Sequence, residues 1–141
     1  MKKRYLIIIV ITCLIVITCL IVLIFFVMPR GTKPFRDITV SNISSVSVEL
    51  LPPDVSLELE KADINQLVDI LHKVVIYDKD SSYGSYNGQA VIYTITKTDG
   101  TQTVVQASNP FFIIDGVGYK TKYGPCEELS KLGNRMMNNA K

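Results

Sequence analysis

Residues 45–60 read SVSVELLPPDVSLELE. Before the proline pair, Val46, Val48 and Leu50 alternate with Ser45, Ser47 and Glu49. After Asp54, Val55, Leu57 and Leu59 alternate with Ser56, Glu58 and Glu60. A side-chain period of two sends one set to each face of a pleated strand. Pro52 and Pro53 have no ladder N–H to give, so they belong in the turn. The stretch predicts two half-buried strands, and with them an antiparallel sheet that rests one face on a core.

The pattern changes downstream. Asp63, with Gln66 three residues on, reads as a helix start. Ile64, Leu67, Val68, Leu71 and Val75 then form one apolar stripe, and Asp69 and Lys73 have the spacing of a helical ion pair. Val74 to Tyr77 turns β-branched and predicts a short strand. Asp78 to Gln89 is polar and rich in Gly and Ser, a surface loop. Strand-like runs follow at Ala90–Lys97, Thr101–Ala107, Phe111–Ile114 and Val117–Thr121. Asp99-Gly100 and Asp115-Gly116 between them are two-residue hairpin signals. Pro125 suits a first helical position, with Glu127 and Glu128 in the first turn and Leu129, Leu132, Met136 and Met137 on the apolar face. The order β-β-α-β-β-β-β-β-α predicts an α+β domain with a largely antiparallel sheet and two helices on one face.

The chain has 141 residues, and its hydrophobicity is concentrated at one end. Leu6 to Met28 is free of charge, Gly and Pro. As a helix it would reach roughly 34 Å, enough to cross a hydrocarbon core of about 30 Å. A cleaved signal peptide has a shorter apolar core and small residues at its cleavage site. Here the first Ala is Ala62. A lipoprotein would need a modified Cys at the end of the run, whereas Cys13 and Cys19 lie inside it. Residues 1–28 are therefore expected to be a cytoplasmic tail and signal-anchor, embedded in the lipid bilayer through residues 6–28. Pro29 and Gly31 would stop the helix. Residues 29–36, with two prolines, read as a linker, and 37–141 as the domain. Lys2, Lys3 and Arg4 with the terminal amine narrowly outweigh Arg30, Lys33 and Arg36. This favours a cytoplasmic N-terminus and an extracellular C-terminal domain at the cell membrane.

Residues 37–141 carry 9 basic and 13 acidic side chains, a net charge of −4. No basic stripe is present for nucleic acid to follow, so no nucleic-acid partner is expected. Cys126 is the lone cysteine beyond the apolar run, so the domain must rely on its core.

Few residues suggest chemistry. His72 is the sole histidine, and a His/Cys metal site needs more ligands. A Cys126–His72 pair can be written, but Glu127 and Glu128 oppose a thiolate. Asp78-x-Asp80-x-Ser82 opens like a calcium loop, then fails at Tyr83 and Gln89. Glu58 and Glu60 share a face as ordinary solvent patterning. No catalytic, metal-binding or cofactor-binding residues are assigned, and no cofactor is expected. Tyr83 and Tyr86, set among Ser, Gly and Asn, are the residues suited to contacting a protein or cell-envelope partner.

From Ser45 onward the pattern resembles small membrane-anchored or secreted domains of uncharacterised function from Gram-positive bacteria. The paired strands, the helix to Val75, the Asp99-Gly100 hairpin and the run from Ile113 to Tyr119 followed by Cys126-Glu127-Glu128-Leu129 carry the likeness. It implies an envelope location and no activity. The expected function is an anchored extracytoplasmic interaction or binding module, not an enzyme. The alternative is a small envelope enzyme or inhibitor domain with an unidentified site.

Overall fold

The computed structural model describes residues 2–27 and 30–140. It divides into two units, Met1–Arg30 and Gly31–Lys141. The helix stop expected at Pro29 lies outside the described residues.

The first unit is the helix α1, Lys2–Val27, in which no residue is buried. Its 26 residues would extend about 39 Å, and by length and composition it can cross a membrane. Its two threonines satisfy themselves within the helix. The Thr12 hydroxyl donates to the Ile8 carbonyl at 2.9 Å, and the Thr18 hydroxyl to that of Leu14 at 2.6 Å.

The second unit is an α+β domain. Its strands are β1 (Ile43–Leu51), β2 (Val55–Glu58), β3 (Ile76–Lys79), β4 (Ala90–Lys97), β5 (Gln102–Ser108), β6 (Phe111–Ile114) and β7 (Val117–Thr121). Its helices are α2 (Lys61–Leu71) and α3 (Tyr123–Asn139). The strands form one antiparallel sheet in the order β2-β1-β4-β5-β6-β7-β3. The helix α2 therefore links the two edge strands, while β4 to β7 form a simple meander. Alternation decides which side is covered. Val46, Val48, Leu50, Val91, Tyr93, Ile95, Val105, Ala107 and Phe112 face one core together with Leu67, Leu71, Leu129 and Leu132. Each buried Val, Leu, Ile or Phe among them contributes about 1.5–3 kcal/mol relative to exposure.

The expected elements are present with shifted ends. The strand β1 starts at Ile43, which pairs with Lys97 beyond a bulge. The helix α2 starts at Lys61, so Asp63 does not cap it. Instead the Arg135 guanidinium of α3 donates to the Asp63 carboxylate at 2.6 Å and to the Gln66 amide oxygen at 2.9 Å. Lys73 lies beyond the end of α2 and reaches Glu128 of α3 at 2.7 Å rather than forming the helical pair expected with Asp69. The strand β3 starts at Ile76, because the chain leaving α2 first makes tight turns at Lys73 and Val74. The Asp99-Gly100 hairpin is a three-residue loop: the Gly100 N–H donates to the Lys97 carbonyl at 3.0 Å and the Lys97 N–H to that of Thr101 at 2.8 Å. Gly100, at φ 84°, supplies the left-handed bulge residue. Asp115-Gly116 is the two-residue turn expected, with both φ positive. The helix α3 starts at Tyr123, two residues before Pro125, so Glu127 and Glu128 fall beyond its first turn.

The linker is corrected most. From Gly31 the chain already belongs to the domain. Thr32 and Ile76 exchange both backbone hydrogen bonds at 2.8 Å, closing part of the β3 edge. Phe35 is 7% exposed, and its ring meets Phe112 edge-to-face at 5.8 Å. Ile38 is buried, and its carbonyl lies 2.8 Å from His72 Nε2. Residues 31–42 thus form a strap across the helix side of the sheet. Two helices do not cover seven strands, and the strap fills the remainder.

The helix α3 approaches the sheet at Gly133. A Cβ there would lie 2.7 Å from Val91 Cγ1 and 3.3 Å from the Tyr93 hydroxyl. That hydroxyl is buried and donates to the Leu129 carbonyl at 2.7 Å, a bond worth about 1 kcal/mol net. Burial raises the Tyr93 pKa well above its ordinary value.

Two stability predictions follow from this packing. Gly133→Ala should lose about 1–3 kcal/mol through overpacking despite a helix-propensity gain of about 1 kcal/mol. Phe35→Ala should lose about 3 kcal/mol, measured by urea unfolding, whereas a mere linker residue would change nothing.

Candidate functional site

The helices and strap cover one face of the sheet, and the second face is covered in part. After β3 the chain turns at Asp80 and runs through a 3-10 turn, Ser81–Ser85, across that second face. The Asp80 carboxylate accepts from the Ser82 hydroxyl at 2.6 Å and from the Ser82 N–H at 2.9 Å. These bonds hold its pKa below the usual carboxylate range. The oxygen that a calcium loop would offer to a cation is thus occupied within the turn. Among the described residues, no group of three His, Cys, Asp or Glu side chains is placed to hold a metal ion.

Tyr83 and Tyr86 have different places. The Tyr83 ring lies over Gly118 of β7, and its hydroxyl donates to the Gly116 carbonyl at 2.9 Å. A Cβ at Gly118 would collide with the Asp80 carbonyl and the Tyr83 ring. Tyr83 therefore fastens the loop to the sheet. Tyr86 is 55% exposed and leans edge-to-face on Phe111 at 5.0 Å. Phe111 and Ile113 are buried on this second face.

Beyond the loop, the second face is an open surface of β1, β4 and β5. Register aligns Ser47, Thr94 and Val104 in one row, and Glu49, Ile92 and Gln106 in the next. Neutral hydrogen-bonding groups, two aliphatic side chains and one carboxylate are presented there. Alternation in the sequence carried that signal, but only the strand order shows that the rows are contiguous.

Grooves also open elsewhere among the described residues. One of about 400 Å³ lies between the strap and the ends of β4 to β6, with Phe35, Ile38 and Ile114 on its floor and Asp37, Lys97 and Asp115 at its rim. Asp115 is already engaged, accepting from the Val104 N–H at 2.8 Å. Another, of about 320 Å³, runs beside β2 over Leu57 and Met136, with Glu58, Glu60 and Asp63 around it.

Cys126 and His72 are not brought together. The thiol is fully buried and donates to the Phe111 carbonyl at 3.4 Å, while His72 serves the strap. Burial pushes the Cys126 thiol up to about 12. It stays protonated and acts as a small apolar residue. No protein-family model, curated protein or solved structure matches the chain.

The buried thiol should be silent to a maleimide in the native domain and label after urea unfolding. Because the fold raises its pKa from 9.0 to about 12, the folded state keeps a proton that the unfolded state releases. Its contribution to stability is complete below pH 9 and lost progressively as the pH rises toward 12, so the alkaline fall in Tm should be shallower in Cys126→Ala. Separately, Gly118→Ala should destabilise by about 1–3 kcal/mol, with amide exchange rising first in residues 80–86.

Proposed function

We propose that the chain is a single-pass, membrane-anchored binding module of a bacterial envelope, with its N-terminus in the cytoplasm and its domain outside. The observation that carries this reading is α1. Its side chains are exposed all round and apolar over more than five turns, and the second unit has a complete core without it. A helix lacking a polar face suits lipid on every side, because its backbone bonds are internal.

The binding part of the proposal rests on the open face of β1, β4 and β5 with Tyr86 at its margin. An aromatic ring held by Phe111 on one side and solvent on the other brings contact area at little entropic cost. The surrounding Ser, Thr and Gln offer donors and acceptors without net charge.

Carbonate washing of membranes should leave the full chain in the pellet, and N-terminal sequencing should return residues preceding Leu6. Protease added to intact cells should remove the domain. Release into the supernatant, or a mature start beyond Met28, would instead identify a cleaved leader. Protection of the domain alongside digestion of a known ectodomain would reverse the orientation.

A further inference from the structure

We infer that the corner where the strap leaves β3, three residues into the domain, is a docking surface for anionic phospholipid headgroups, built from Lys33, Lys122 and Tyr123. This deepens the membrane-anchor proposal and rests on it.

The strand register defines the corner. Ile76 pairs with Thr32 on one side and with Thr121 on the other, antiparallel in both cases. The strap and β7 therefore run in the same direction past β3. The next residue of each, Lys33 and Lys122, leaves the same end of the sheet, and the two flank Val75. Two strand spacings separate them by about 10 Å. Both are exposed, and among the described residues neither has an ion-pair partner.

The acidic side chains that α3 brings near Lys122 are engaged by other cations. Glu128 is taken by Lys73 at 2.7 Å, and Glu127 by Lys131 at 2.9 Å. Tyr123 opens α3 beside Lys122 and is 62% exposed. An exposed tyrosine next to unpaired lysines has the chemistry of the bilayer interface, where the ring sits among headgroups and the ammonium groups meet phosphate. The acidic side chains Glu49, Glu58 and Glu60 belong to the β1–β2 side of the sheet, away from this corner. Such a charge distribution turns one particular corner toward a negative surface.

The test uses the full chain in nanodiscs of phosphatidylcholine alone or with phosphatidylglycerol. Hydrogen exchange is read at residues 31–36 and 120–126. Phosphatidylglycerol should slow exchange there and leave the β4–β5 loop unchanged. Lys33→Glu and Lys122→Glu, each a change of two charges, should each weaken the docked state about 30-fold, and raised salt should abolish it. Equal Tm values in detergent would confirm that the variants remain folded. Exchange identical in the two lipids, or protection that survives the double reversal, would overturn the inference. Failure of the wild-type chain to insert in either lipid would overturn the anchor itself, a distinguishable result.

Discussion

A seven-stranded antiparallel sheet with one apolar face must have that face covered, and most of this domain is arranged to cover it. Val46, Val48 and Leu50 of β1, Val91, Tyr93 and Ile95 of β4, and Val105 and Ala107 of β5 all point to the same side. Arg135 of α3 pairs with Asp63 of α2, and Lys73 in the turn after α2 pairs with Glu128 of α3. Exposed pairs of this kind are each worth only about 0.2–1 kcal/mol, so they orient the helices more than they hold them. Apolar contact with the sheet does the holding. It is deepest where Gly133 lets α3 descend onto Val91 and Tyr93.

Much of this was legible in the sequence because it rests on local periods. The alternation around Pro52-Pro53 and the 3.6-residue stripe from Ile64 to Leu71 each report burial directly. The class, the antiparallel sheet and its helical layer follow from them. Element ends were less legible because competing partners lie far along the chain. Asp63 carries the features of a cap, but Arg135, 72 residues on, takes its carboxylate. Glu60 stands at the helix boundary instead. The strap is hard to read for a related reason. Lys33, Pro34 and Arg36 conceal an apolar spacing at Phe35, Ile38 and Val40, and only the uncovered portion of the sheet gives that spacing meaning.

The candidate surface was legible only in part. Tyr83 and Tyr86 have the same sequence surroundings, yet one fills the space above Gly118 and the other remains at the margin. That difference comes from a glycine 35 residues downstream of Tyr83, which no local pattern reveals. The open rows of β1, β4 and β5 are alternate, mostly polar residues in three separate runs, contiguous only once the strand order is known. Lys33 and Lys122 likewise become neighbours only through Ile76.

The strand order also bears on how the polypeptide is made. The meander β4 to β7 is contiguous in the chain, whereas β1 and β3 attach to its two sides from positions nearer the N-terminus. A ribosome therefore releases the strap, β1, β2, α2 and β3 before their central scaffold exists. Until Lys97 emerges β1 has only its short hairpin partner, and until Thr121 emerges β3 lacks β7. Long-range pairings of this kind are slow to close and leave apolar strands uncovered while they wait. The first half of the domain thus passes through a nascent stage in which its apolar strands have no completed sheet to shield them.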